Sequence, residues 1–302
     1  MKRFGLVWWG RAYFAVQAAA GLLWWIAVFL SPAVREATLG GLNPTVIAVF
    51  DIPLFVIASA VAACGGRAAA KLATVWTGLV TVALAIHATV TTEAGWGVLA
   101  MAASTVCSVI ALCIVWLGHV PTAWIINGPF AFRPAPKRPT AATHVVTTFA
   151  QLAVFWGLFL VVIPLAIVVL EQRWAVDLPL PPFTHPLGTV ILVLASALGI
   201  SSALTMSTRG DGTPLPSAMP NRLVIAGPYR WIRNPMALAG IAQGAAIGLI
   251  MGSWLVVTYA IAGSLLWNYA VRPLEEADLR ERFGEEFQRY RETVRCWIPR
   301  LS

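Results

Sequence analysis

Residues 145–170 read VVTTFAQLAVFWGLFLVVIPLAIVVL, twenty-six positions without one charged side chain. A helix of that length rises roughly 39 Å at about 1.5 Å per residue, more than the ~30 Å hydrocarbon core of a bilayer. Seven further apolar runs flank it, near 11–30, 44–63, 71–92, 96–117, 187–206, 236–252 and 254–271. The composition agrees: 59% of the 302 residues are hydrophobic, 11% are charged and the mean hydropathy is +0.76. These observations predict an all-α, polytopic integral membrane protein of about eight transmembrane helices.

The net charge of +8 could point to nucleic acid, but the placement of the charges argues against it. With eight spans and an inside N-terminus, Lys2, Arg3, Arg11, Arg67, Lys71, Arg133, Lys137, Arg138, Arg209, Arg222, Arg230 and Arg233 fall on one side, with everything basic from Arg272 onward. Only Arg35 and Arg173 fall on the other. Such asymmetry is the positive-inside pattern, so both termini are expected in the cytoplasm and the basic residues against anionic membrane lipid. The opening Met1-Lys2-Arg3 imitates a signal peptide, but the apolar run is too long and lacks a small-residue cleavage site. A retained first helix is expected. Arginine outnumbers lysine 18 to 3, which hints at a GC-rich genome and a bacterial plasma membrane.

Cys64, Cys107, Cys113 and Cys296 have neither metal-ligand spacing nor the pattern of a disulfide framework, so no metal is expected. The Pro-rich, basic stretch NGPFAFRPAPKRPT at 127–140 divides the chain. The expected organisation is a four-helix membrane region at 1–125, a cytoplasmic linker at 126–143 and a second membrane domain at 144–302. In the first region Asp51 and His87 fall at similar depth on neighbouring spans. A mutually satisfied Asp51–His87 pair is the expected structural reading, and a functional site the alternative. Gly240, Gly244, Gly248 and Gly252 line one helical face, which predicts close packing against the next span.

Chemistry concentrates after residue 200. In GPYRWIRNP, residues 227–235, prolines at both ends interrupt helix and leave backbone that protein or a polar cavity must satisfy. Arg230 and Arg233 would share one side of a single helical turn, suited to carboxylate or phosphate, with Tyr229 and Trp231 adding aromatic faces. An interfacial anchor explains the same residues. The tail, RPLEEADLRERFGEEFQRYRETVRCWIPR at 272–300, places Glu275 and Glu276 directly after the last span, where carboxylates are costly unless they bind something. Within it Leu279, Phe283, Phe287 and Tyr290 recur every three or four residues, which predicts an amphipathic cytoplasmic helix over 274–293. His185, in the proline-rich loop 177–186, is expected to have no role.

Taken in order, GPYRxxRNPM, a helical hairpin, EE, LRERFGEEFQRY and a terminal WIPR resemble the isoprenylcysteine carboxyl methyltransferase family over roughly residues 186–300. GDGTPLP at 210–216 and RLVIAGPYR at 222–230 are similar to bacterial members. The resemblance implies an S-adenosylmethionine-dependent membrane methyltransferase with a cytoplasm-facing cofactor pocket. It assigns cofactor contacts to Leu223, Val224, Tyr229, Arg233, Asn234, Pro235 and Glu275, with Asn234 where eukaryotic members commonly have histidine. A substrate-contacting arginine of the family aligns with Val271, making neighbouring Arg272 a catalytic candidate. Glu276 is the candidate base should the acceptor be an amine or hydroxyl rather than a carboxylate.

The implied substrate is a lipophilic small molecule or lipidated chain entering from the bilayer. Two other classes compete. A membrane reductase of the sterol reductase type would use NADPH, but the paired glutamates would repel its extra phosphate. A non-catalytic transporter or scaffold would rest on the first four spans, where Asp51 and His87 alone are polar at depth.

Overall fold

The computed structural model describes residues 2–123, 141–213 and 219–299. The linker placed at 126–143 lies almost wholly outside the described residues, as do 214–216 of the GDGTPLP motif. The chain divides into two compact units, Met1–Pro121 with Leu170–Val176, and Thr122–Val169 with Asp177–Ser302. Seven helices among the described residues are long and apolar enough to cross a membrane.

The first unit contains α1 (Lys2–Leu30), the short α2 (Pro32–Leu39), α3 (Pro44–Ala63), α4 (Arg67–Thr91) and α5 (Gly95–Leu117). Ser31 and Asn43 cap α2 and α3 through their side-chain oxygens, and proline takes the first helical position of each, where no N–H is required. Small residues let the helices meet: Phe14 of α1 packs on Ala58, Ala62, Ala70, Ala73 and Ala111. Buried Gln17 ties three helices together, donating to Ser59 (3.0 Å) and accepting from Ser108 (2.8 Å). Leu, Val and Ile side chains such as Leu23, Val49, Val75 and Val109 are exposed on the outer faces, as lipid-facing surfaces require.

The expected Asp51–His87 pair does not form. Asp51 instead accepts hydrogen bonds from the indoles of Trp25 (2.9 Å) and Trp76 (2.7 Å), while His87 Nε2 is buried without a partner. Equal depth fixed the height of the two side chains but not the direction in which each leaves its helix.

The second unit contains the long α6 (Ala142–Arg173, whose last turn belongs to the first unit), α7 (Thr184–Arg209), α8 (Pro235–Met251), α9 (Trp254–Leu266) and α10 (Arg272–Thr293). Of the eight expected spans, the one at 236–252 is α8, at 17 residues shorter than the seven. Pro235 and Gly252, whose φ is +66°, bound it. Gly244 and Gly248 face α9 as expected, a Cβ on each standing 3.2 Å from Ala260 and 2.7 Å from Val257. Gly240 meets nothing within 4 Å and opens on a cavity, and α8 also packs closely on α7, where Gly188 leaves room for Ala246 and Leu249.

Wider π-helical turns interrupt α6 at Gly157–Val162 and join α9 to α10 at Trp267–Val271. Proline follows each two residues later, at 164 and 273. A proline lacks its N–H and crowds the carbonyl four residues back, so the ladder re-registers by one residue rather than closing normally. Beyond Val271 the chain ceases to be apolar: α10 carries twelve charged residues in 22, so the span ends there.

Gly248→Ala should lower the melting temperature in detergent, because the added methyl meets the backbone N of Val257 at 2.7 Å, whereas Gly263→Ala enters open space and should not. Equal melting of the two variants would contradict the α8–α9 packing.

Candidate functional site

Within the second unit lies a cavity of about 420 Å³. One wall is the stretch between α7 and α8. Gly227 adopts φ +54° and starts a tight 3₁₀ turn, Gly227–Arg230, which a residue with a Cβ would strain while striking Thr205. Asn234 has a non-helical backbone (φ −125°, ψ +61°), as the clash with a following proline favours, and Pro235 opens α8. The single helical turn expected to align Arg230 with Arg233 does not exist. The 3₁₀ turn ends between them, so Arg230 is exposed with its guanidinium 6.0 Å from the Trp231 ring, while Arg233 turns inward to the cavity.

The opposite wall is the start of α10. The π turn before it adds a residue to the helical cycle, and Glu275 then lines the cavity while Glu276 turns aside to Arg233 at 3.1 Å. Arg291 approaches the other oxygen of Glu276 at 3.7 Å. The Arg233 and Glu276 side chains are only 11% and 16% exposed, so water screens this pair far less than a surface one. Arg233 Nε remains buried with no partner.

The C-terminal segment locks both walls. The Arg233 N–H donates to the carbonyl of Arg295 (3.0 Å), Asn234 donates to the Cys296 sulfur (3.5 Å), and the Trp297 indole donates to Asn268 (3.2 Å). The Tyr290 hydroxyl donates to the carbonyl of Tyr229 at 2.6 Å, and Phe287, Tyr290 and Val294 form a small core with Leu223. Thus α10 does present the apolar face its spacing indicated, though Gly284 at φ +50° kinks it. Leu279, Phe283 and Tyr290 from that face line the cavity.

Of the residues singled out from sequence, Leu223, Val224, Tyr229, Arg233, Asn234 and Glu275 all line this one cavity. Pro235 is buried behind them, and neither Arg272 nor Glu276 is part of the lining. Arg272 is half-buried, and a hydrogen bond with Cys296 holds its guanidinium all the more firmly protonated. Sequence reasoning passed over the aromatic wall from α6, Phe155, Trp156 and Phe159, and also Trp267. Their signal was an aromatic cluster one turn apart, here with Phe155 stacked on Phe159 at 5.5 Å.

The electrostatics of the wall are uneven. Burial, reinforced by the neighbouring charges of Glu276 and Asp278, pushes the Glu275 carboxyl up to about 7. Burial and the nearby Glu275 also raise Tyr229, which stays a phenol. A carboxyl poised near neutrality takes on full charge when hydrogen-bond donors arrive.

Comparison with known proteins bears on this segment. Residues 183–286, about a third of the chain and most of the cavity's wall, match the family model described as phospholipid methyltransferase, a family that includes the isoprenylcysteine carboxyl methyltransferases. This part of the chain is similar to the membrane methyltransferases of that family. A solved structure of the eukaryotic intramembrane Ras methyltransferase, an isoprenylcysteine carboxyl methyltransferase, is 16% identical, with 97% of each chain covered and a TM-score of 0.33. No curated protein matches the chain.

The position of Glu275 generates a pH prediction. Its folded value of about 7 lies above its ordinary 4.5, so its contribution favours the fold at low pH and is lost as pH rises toward and through 7. Melting of the wild type relative to Glu275→Gln should therefore fall between about pH 5 and pH 8. A constant difference across that range would contradict the placement of Glu275.

Proposed function

We propose that the chain transfers a methyl group from S-adenosylmethionine to a lipophilic acceptor that reaches the cavity from the bilayer, with the cavity facing the cytoplasm. The observation that carries this reading is the meeting, inside a methyltransferase-type segment, of Arg233, Glu275 and Tyr229 on one cavity wall. The residues suit the cofactor. The unpartnered Nε of Arg233 can take a carboxylate oxygen, and Glu275 can accept from ribose hydroxyls or an amino group. Tyr229 and the aromatic residues of α6 offer faces to a flat ring or a sulfonium. When bound, the cofactor would supply an electrophilic methyl group.

The chain's own part is to hold, orient and exclude water. Glu276, itself approached by Arg291, fixes the guanidinium of Arg233. The apolar walls desolvate an acceptor, and alignment in a dry site supplies much of the acceleration of a displacement. A carboxylate acceptor fits best, because it is already anionic at neutral pH and Glu276, engaged by two arginines, is not free to serve as a base. In this reading Glu276 is a positioning residue and Arg272 stands outside the cavity. A prenylated cysteine carboxylate or another lipid or terpenoid acid has the required form.

Calorimetric titration of the detergent-purified chain tests the proposal. Saturable S-adenosylmethionine binding, weakened about tenfold or more by Glu275→Ala, with NADPH giving no heat, is the expected result. Binding of NADPH instead would replace the methyltransferase reading with a reductase. Glu276→Gln separates the two roles of that residue. Released from its anchor, Arg233 should bind cofactor several-fold more weakly; unchanged binding with lost turnover would make Glu276 a base and the acceptor an amine or hydroxyl.

A further inference from the structure

The first unit encloses a second cavity, of about 460 Å³, within the 300–1,000 Å³ range of small-molecule sites. Its walls are apolar and aromatic, with Trp24, Phe55, Trp76, Leu84 and Met101 prominent. Phe50, Ala83 and Ala100 belong to the lining yet are exposed, so a molecule dissolved in the membrane has a way in.

Two ionisable side chains line this cavity, Asp51 and His87, alongside the hydroxyl residues Thr38 and Ser104. Asp51 is only 4% exposed, and each of its oxygens accepts one indole N–H, from Trp25 and Trp76. Acceptance at both oxygens is the pattern of a carboxylate, since the hydroxyl of a neutral acid would itself need an acceptor. None of the ion pairs among the described residues involves Asp51. His87 Nε2 is buried without a hydrogen-bond partner. A tie between α1, α3 and α4 accounts for the two tryptophans on Asp51, but not for the cavity beside it or for the unanswered nitrogen of His87.

A buried carboxylate is ordinarily matched by a positive charge, and a buried imidazole nitrogen by a hydrogen-bond partner. One chemical group answers both. We propose that this cavity binds a lipid-soluble primary or secondary amine in its protonated form, its ammonium donating to Asp51 and to His87 Nε2 and its apolar body lying among the aromatic residues. The indole and phenyl faces around the site favour a cation further. A neutral alcohol has one donor and no charge, so it satisfies only half of what the cavity lacks. The first unit is then a recognition module with its own ligand, whatever the second unit methylates.

The test is calorimetric titration of the full-length chain in detergent with naphthylmethylamine and, separately, with naphthylmethanol, which has the same shape without the charge. The amine should saturate at one site per chain, with the alcohol at least about tenfold weaker, and Asp51→Asn should erase most of that difference. Ala100→Trp, a change at an exposed rim position, should block the amine while leaving the melting temperature unaltered. Equal binding of alcohol and amine, amine binding indifferent to Asp51→Asn or Ala100→Trp, or no saturable binding to a cooperatively melting chain would each overturn the proposal. If Asp51→Asn fails to fold, the amine–alcohol comparison and Ala100→Trp decide the matter.

Discussion

Arg233 and Glu276 meet at 3.1 Å across 43 positions of sequence, and the candidate site depends on that pair. A guanidinium and a carboxylate this sheltered are costly to bury singly and tolerable together. Their meeting fixes the irregular stretch before α8 to the first turn of α10, and so sets the spacing between the two walls of the cavity. Arg291 reinforces it from the far end of the same helix. With its partner secured, Arg233 keeps one donor, Nε, unspent toward the interior.

Proline makes that arrangement reachable. Pro228 and Pro235 prevent continuous helix between α7 and α8, and the backbone they release is satisfied by the C-terminal segment, chiefly through the carbonyl of Arg295 and the hydroxyl of Tyr290. Pro273 displaces the ladder at the end of α9, and the resulting π turn decides which of two adjacent glutamates lines the cavity. A polar site at the margin of an apolar chain is thus built from interruptions of helix whose polar groups find partners inside the protein, as membrane depth demands.

Much of this was legible in sequence because the signals were one-dimensional. Apolar runs give spans, a glycine every fourth residue gives a face, and prolines bracketing arginines give non-helical backbone beside a cavity. What failed was azimuth. Asp51 and His87 matched in depth, yet Asp51 points to two tryptophans that no spacing rule connects to it. Arg230 and Arg233 matched a helical repeat, yet the turn between them is 3₁₀ and ends too soon. The aromatic wall from α6 was hidden for a different reason: in a chain this rich in lipid-facing aromatics, those that face inward look the same as those that face out. The closure by Cys296 and Trp297 was invisible too, being a contact between segments far apart in sequence.

The central claim is that the cofactor lies between the 219–237 stretch and the start of α10. Ultraviolet cross-linking of radiolabelled S-adenosylmethionine to the purified full-length chain, followed by peptide mapping, tests it most directly. The account predicts label confined to peptides spanning residues 219–240 and 267–290, competed away by unlabelled cofactor. Competable label in peptides from the first four spans, with none in those two, would contradict it.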